Sequence, residues 1–426
     1  MVFRAQLIVV VFALTTAAQT PSHPLTIQDC LRLAETARNA VTMARQEREI
    51  ADRDLIQARA GLLPQTHIQN GFTYNSPNLN DRSTFSFIPL NGIREYGVLG
   101  TITQEFDTSG RIRAEMQRAR ANQDVARVNL DITLRDLRRS VAIAYYRLLL
   151  TRHLVGVIDE TLKESRSFEQ RARLLYEKGE AARADLVKAS AQVAFLQQAF
   201  AAAELEASIA NQELCSFWTK DVTEPLEISD LLAESPPPPE IEPAAVNVAP
   251  YLKRSEFNLL DAQQRGFKAD AQFARSALLP QFGFVFQYGI DSTGLRWRDR
   301  GYAGYFNLRI PIFDWFRARS QTQQFRLRAE QIETSRAITE RDFSRDYQNA
   351  RARVQRLFEQ IALTREQVRL SEEDLSLSRL RYEAGEGAAL DVVTAQTQLA
   401  QARNNYYTSL ANYLSARIDL EVTSGK

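Results

Sequence analysis

The chain has 426 residues, with 53 Lys or Arg against 52 Asp or Glu, three His and two Cys. The balanced charge argues against a nucleic-acid surface as its main business. Two Cys with the scattered His23, His67 and His153 cannot build a zinc cluster.

Residues 1–18 read as a secretory signal peptide. Arg4 supplies the positive start, Leu7 to Leu14 the short apolar core, and Thr16-Ala17-Ala18 the small residues of a cleavage site. The core is too short to span a bilayer, and no later segment has 18 consecutive apolar residues. Any membrane role therefore needs strands.

From Leu25 to Leu63, Leu31, Ala34, Arg38 and Val41 follow a loose helical spacing. Leu62-Leu63-Pro64-Gln65 ends that helix, because the residue before Pro disfavours the helical conformation. Residues 66–75 alternate as a strand, with Ile68, Phe72 and Tyr74 opposite Gln69, Thr73 and Asn75. A turn-rich stretch leads to a second strand at 96–106, with Tyr96, Val98, Ile102 and Phe106 on one face. Asp107 then reads as a helix cap. Arg111 to Tyr176 is one long helical stretch, and a further helix runs from Ala182 to about Lys220. Residues 221–250 form an acidic linker around Ser235-Pro236-Pro237-Pro238-Pro239.

The same order then returns. A helix over about 252–279 ends in Leu278-Leu279-Pro280-Gln281. Strands follow at 282–290 (Phe282, Phe284, Phe286, Tyr288 and Ile290 on one face) and 302–312 (Tyr302, Phe306, Leu308, Ile310 and Ile312). Phe313-Asp314 echoes Phe106-Asp107, and Trp315 to Ala384 holds neither Gly nor Pro. A last helix spans about 388–422. The organisation predicted is therefore a first repeat at 19–220, the linker, and a second repeat at 251–426.

Each long helix measures roughly 100 Å at 1.5 Å per residue. Two shorter helices stacked end to end match that length, so the chain reads as a tube of near-parallel helices. Each strand has about the 9–11 residues that span a bilayer, with one apolar face. Four strands cannot close a barrel, and open edges are not tolerated in lipid, so a membrane reading requires an oligomer.

One stretch occurs twice in register: Tyr176, Glu177, Gly179, Glu180, Ala182 and Asp185 match Tyr382, Glu383, Gly385, Glu386, Ala388 and Asp391. Ala189/Ala395 and Gln192/Gln398 extend the match. Gly179 and Gly385 fit helix C-termini, and Asp185 and Asp391 fit the first turn of the returning helix. Each copy reads as the tip of a helical hairpin. The aspartates read either as caps or as a charged ring at an opening, and the two roles are compatible. Cys30 and Cys215 fall near the middle of the stacked helices and are a candidate disulfide in an oxidising compartment. Two separate buried thiols are the alternative. No G-x-S-x-G, P-loop or Rossmann fingerprint is present, so an enzyme is not expected.

These features resemble the TolC-like outer membrane efflux proteins. The resemblance rests on the twofold element order, Leu-Leu-Pro-Gln before the strands, Phe-Asp at each long helix, and the run from Tyr382 to Val393. It implies an α+β membrane protein: a homotrimer sharing a 12-stranded β-barrel, four strands per chain, on an α-helical barrel that crosses the periplasm. The implied function is the exit duct of a tripartite efflux or secretion system in the outer membrane of a Gram-negative-type bacterium. Implied partners are outer membrane lipid, a periplasmic adaptor protein and an inner-membrane transporter, with no cofactor, no metal and no nucleic acid. The resemblance carries a constriction aspartate onto Asp391, framed by Tyr382 and Gly385, with Asp185 from the other tip. Where the best-known member has a second acid this chain has Thr394, and where it has an Arg this chain has Gly387; Arg183 is the substitute basic partner. Adaptors would dock on Tyr176, Gly179, Glu180 and Glu386. The alternative reading is a secreted structural coiled-coil protein with a soluble β head.

Overall fold

The computed structural model describes residues 24–77, 93–232, 236–239 and 249–425. The signal-peptide reading at 1–18 and part of the linker lie outside them. The elements are α1 (Ile27–Thr36), α2 (Ala40–Ala60), β1 (Gln65–Tyr74), β2 (Arg94–Phe106), α3 (Arg111–Glu177), α4 (Arg183–Cys215), α5 (Ser255–Ser276), β3 (Gln281–Ser292), β4 (Arg300–Arg309), α6 (Arg317–Glu383) and α7 (Ala389–Thr423). The order of helix, two strands, long helix and helix thus occurs twice.

The first helix differs from the single helix expected over 25–63. It breaks at Ala37, whose backbone is extended. Asn39 explains the break. Its Oδ1 accepts the Val41 N–H at 3.0 Å, and its Nδ2 donates to the Ala34 carbonyl. The side chain therefore closes one helix and caps the next, as Asn does where it competes with helical hydrogen bonding. At the other end, α2 stops at Ala60, just before the Leu62-Leu63-Pro64-Gln65 ending expected to close it.

The strands form one antiparallel sheet in the order β1-β2-β3-β4. Register aligns the apolar residues across all four strands: Phe72 faces Tyr96, Val98 faces Ile290, Ile102 faces Phe286, Phe284 faces Phe306 and Tyr288 faces Tyr302. Phe282 and Phe306 stack at 5.6 Å and Phe72 meets Tyr96 at 4.9 Å. Because side chains alternate, the opposite face collects His67, Gln69, Thr101, Thr103, Gln287, Asn307 and Arg309. β4 ends at Arg309, three residues short of the expected strand. Pro311, which offers no N–H to a ladder, lies just beyond.

The main apolar cluster sits at the middle of the two long helices. It gathers Cys30 and Ala34 of α1, Val141, Tyr145 and Leu148 of α3, Leu214 and Cys215 of α4, Val354 and Ile361 of α6, and Leu410 and Tyr413 of α7. α1 begins there and α4 ends there. α2 runs along α3 toward the sheet, where Leu55 and Ala58 pack on Ala119. α4 runs along the other half, where Ala189 packs with Phe168 and Ala172. This is the end-to-end stacking read from the lengths. Part of the linker closes the belt. Leu25 pairs with Ile228, Tyr145 donates its hydroxyl to the Ser229 carbonyl at 2.7 Å, and Tyr413 donates to the Pro237 carbonyl at 2.6 Å.

Charged pairs link the helices on their polar sides. Arg135 of α3 grips Glu256 of α5 at 2.8 and 3.1 Å, and Arg254 adds a contact at 2.6 Å. Burial alone would raise the Glu256 pKa, but the hydrogen bonds from Arg254 and Arg135 win and hold it down at about 2.

Candidate functional site: the helix-hairpin tips

Both long helices end in the same device. The Gly179 N–H bonds the Tyr176 carbonyl at 2.9 Å and the Glu180 N–H bonds the Leu175 carbonyl at 2.8 Å. In the second copy Gly385 bonds Tyr382 at 3.1 Å and Glu386 bonds Arg381 at 2.9 Å. These are Schellman closures, and they need the left-handed φ of +80° and +74° that the two glycines adopt. The chain turns back at once into α4 and α7.

Asp185 and Asp391 each occupy the third position of the returning helix. Asp391 Oδ2 accepts the Ala388 N–H at 3.2 Å, so it caps as well as charges the tip. Asp391 is exposed and Asp185 half-buried. Arg183 is exposed and has no ion pair among the described residues. Gly387 has a structural reason. A Cβ there would lie 3.1 Å from the Arg381 Cβ and from the Tyr382 nitrogen. Its N–H bonds the Arg381 carbonyl at 3.1 Å, so residue 387 lies tight against the last turn of α6.

The two tips are alike in backbone and unlike in burial. Tyr176 is exposed, whereas Tyr382 is buried against Phe168 at 5.1 Å, in a cluster with Leu375, Val392 and Leu399. Burial raises the Tyr382 pKa, and the nearby charge of Asp185 raises it further. The structure thus brings Asp185 of one tip toward Tyr382 of the other. The Tyr382 hydroxyl and Gln396 Nε2 have no hydrogen-bond partner among the described residues. Ser165 donates to Gln396 Oε1 at 2.9 Å, tying α3 to α7. Arg379 pairs with Glu164 at 2.9 Å, Arg403 bridges Glu160 and Glu372 at 2.7 and 2.9 Å, and Arg171 pairs with Glu383. These ion pairs clamp α3, α6 and α7 just behind the tips.

The outward-facing residues at the turns are Tyr176, Gly179, Glu180 and Glu386, all exposed. Sequence reasoning missed the leucines beside them. Leu174 and Leu380 are both exposed, two residues before each tip tyrosine. Their matching offset in the two copies was a signal available in the sequence.

The candidate bridge between Cys30 and Cys215 is not formed. Both are free, fully buried thiols in the belt cluster. Cys215 Sγ contacts the Glu224 carbonyl at 3.5 Å and accepts from Asn211 Nδ2 at 3.6 Å. Burial pushes the Cys30 thiol up to about 12, with the charge of Asp29 adding to the effect, so the thiolate needed for exchange is suppressed.

Long paired helices thus carry a sheet with one apolar face at one end and two charged turns at the other. The family model described as outer membrane efflux protein matches residues 30–218 and 253–426. The chain belongs to that family, whose members are channels and not enzymes, and it serves as an outer membrane exit duct. The fold is similar to the Campylobacter jejuni CmeC outer membrane channel, with a TM-score of 0.84 at 14% identity, covering 94% of this chain and 85% of that one. It is similar to the open state of the Neisseria gonorrhoeae MtrE outer membrane channel, with a TM-score of 0.82 at 20% identity over 94% and 88%. It is also similar to the Vibrio cholerae outer membrane protein VceC, with a TM-score of 0.78 at 17% identity over 94% and 96%. No curated sequence matches the chain significantly.

Proposed function

We propose that this duct is a homotrimer in the outer membrane of a Gram-negative-type bacterium. Its 12-stranded barrel is shared among the chains, and its helices form a tunnel through the periplasm. The observation that carries this reading is the sheet. β1 and β4 are both edge strands, every residue on them is exposed, and Ile68, Phe72, Tyr74, Tyr302, Phe306 and Leu308 share one face. Lipid tolerates neither open edges nor unpaired backbone groups, so the edges must pair between chains. Residues 1–18 act as the signal peptide, 19–220 and 251–426 as the two repeats, and 221–250 as the equatorial linker.

The tips carry the gate. Asp185 and Asp391 from three chains supply six carboxylates around one opening, framed by Tyr382 and Gly385, with Arg183 as the basic partner. Tyr176, Gly179, Glu180 and Glu386 face a periplasmic adaptor that couples the duct to an inner-membrane transporter. Mass measurement of the detergent-solubilised protein is expected to give three chains. A single chain with intact strand content would overturn the trimer, and extraction without detergent would favour the soluble coiled-coil reading.

A further inference from the structure

α7 carries a stripe of unusual composition. Val392 to Ile418 holds two charged residues, Arg403 and Arg417, in a chain that is 25% charged. Counting on from Asp391 in alternating steps of three and four picks out Thr394, Gln398, Gln401, Asn405, Thr408 and Asn412. Steps of this kind keep residues on one side of a helix. In a packed coiled coil such a seam is apolar. Here every member bears an uncharged amide or hydroxyl, and each is exposed or half-buried. Gln401 donates to Asn405 at 2.8 Å, within the stripe itself.

The opposite side of α7 meets α3 and the linker. Tyr407 stacks on His153 at 4.4 Å, and His153 Nε2 lies 2.9 Å from Asp230 of the linker. Arg403 bonds Glu160 of α3 at 2.7 Å and Glu372 of α6 at 2.9 Å. Tyr413 reaches the Pro237 carbonyl, and Arg417, one turn on, falls on the same side. α3 is turned the other way. Its open stripe of Gly156, Glu160, Lys163, Ser167, Gln170 and Leu174 continues the His153 side that faces the linker. α3 and α7 thus open to opposite sides of one helix layer, α3 with charges and α7 without.

We propose that the stripe from Thr394 to Asn412 lines the lumen in the tip half of the duct, as an uncharged track along which cargo passes. Three observations favour the lumen. The stripe starts from Asp391, so the face that holds the proposed gate carboxylate runs on as the track. α7 is flanked by α3 and α6 of its own chain, so its open side is not an edge awaiting a neighbouring chain. The linker covers the other side, and three linkers placed inside would fill the passage that a duct must keep open. Amide and hydroxyl groups hydrogen-bond a solute without selecting its charge, whereas charged rings select ions. On α6, Glu366 and Glu373 are already paired with Arg369. Beyond the Asp391 ring, α7 neither concentrates nor repels cations. The cargo that fits this surface is organic solutes of either charge, held through hydrogen bonds and released.

This inference rests on the trimeric duct proposed above, and the experiment separates the two. Gln401 and Gln170 are the same residue type, both exposed, on opposite sides of the layer. Each is changed to Glu and to Lys in the full-length protein, and the reversal potential is measured in planar bilayers under a potassium chloride gradient. Gln401→Glu is expected to raise the potassium-over-chloride permeability ratio about twofold and Gln401→Lys to lower it about as far, while both Gln170 variants, screened by salt and the helix layer, match the unaltered protein. Equal shifts at the two positions, or none at Gln401, would overturn the lumen assignment. Gln401→Cys covers the case in which the charge variants do not assemble. Its thiol is modified after insertion with a cationic or an anionic methanethiosulfonate added from the barrel side, with Cys30 and Cys215 buried out of reach. The two reagents are expected to shift the ratio in opposite directions, and an unreacted thiol in a conducting channel would overturn the proposal. Absence of conductance from the unaltered protein would overturn the trimeric duct itself, and the lumen with it.

Discussion

At the residue scale, Asp391 satisfies a helix N–H with the same carboxylate that is proposed to line the opening together with Asp185. Replacing it removes a cap, at a cost of about 1 kcal/mol, which the fold is expected to survive. Asp391→Ala with Asp185→Ala is expected to weaken cation preference and block by multivalent cations in planar bilayers. Unchanged selectivity in the intact double variant would leave Asp391 only its cap. The turns are less forgiving. Gly385→Ala places a Cβ at φ +74° and is expected to destabilise the tip by about 1 kcal/mol, seen as faster proteolytic nicking there. In the belt, Cys30 and Cys215 are expected to resist alkylation in the folded protein and both to react after denaturation without reductant.

At the element scale, the faces of the sheet make opposite demands. Phe284 faces Phe306 on the apolar side, while Gln287 lies on the other face, its Nε2 3.4 Å from Thr101 Oγ1. Arg at Phe284 is expected to impair assembly by roughly 2–4 kcal/mol if it lies near the bilayer midplane, and Arg at Gln287 to be tolerated. Heat-resistant oligomer on a gel distinguishes the two. Between helices, the Glu256–Arg135 clamp predicts a pH dependence. The folded pKa of about 2 lies below the ordinary 4.5, so the stabilisation is fully present above 4.5 and is lost as pH falls toward 2. Its upper size is about 3 kcal/mol. The stability gap between the native chain and Glu256→Gln is therefore expected to narrow over that window, and a constant gap would show that the clamp does not titrate there.

At the scale of the whole molecule, the described chain leaves three surfaces without partners: the sheet edges, the apolar face of the sheet, and the tips with Leu174 and Leu380. On the proposed reading, a closed barrel in lipid covers the first two. The third is the surface proposed to meet an adaptor. Glu180→Arg with Glu386→Arg leaves both Schellman turns intact, because those residues contribute only backbone N–H groups to them. The variant is expected to remain trimeric and to lose most of its adaptor in co-purification. Full adaptor retention would move docking away from the turns.

The sequence alone determined the elements wherever the physics is local and periodic. Alternation placed the four strands and assigned their faces correctly, because side-chain direction in a strand depends on parity alone. Glycine and the following acid located the tips to the residue, since only a residue without Cβ turns freely into the left-handed region. Element lengths even foretold that α2 and α4 share α3 between them. Three features waited for the tertiary structure. The break at Ala37 depends on Asn39 bonding both ways, and a helix-compatible pattern conceals it. The inequality of Tyr176 and Tyr382 cannot be read from two matching motifs, because burial is decided by what packs opposite: Phe168 covers the Tyr382 ring, while Tyr176 stays exposed. The positive φ at Trp315 and Phe316, just before α6, is likewise a backbone angle that no spacing of letters encodes.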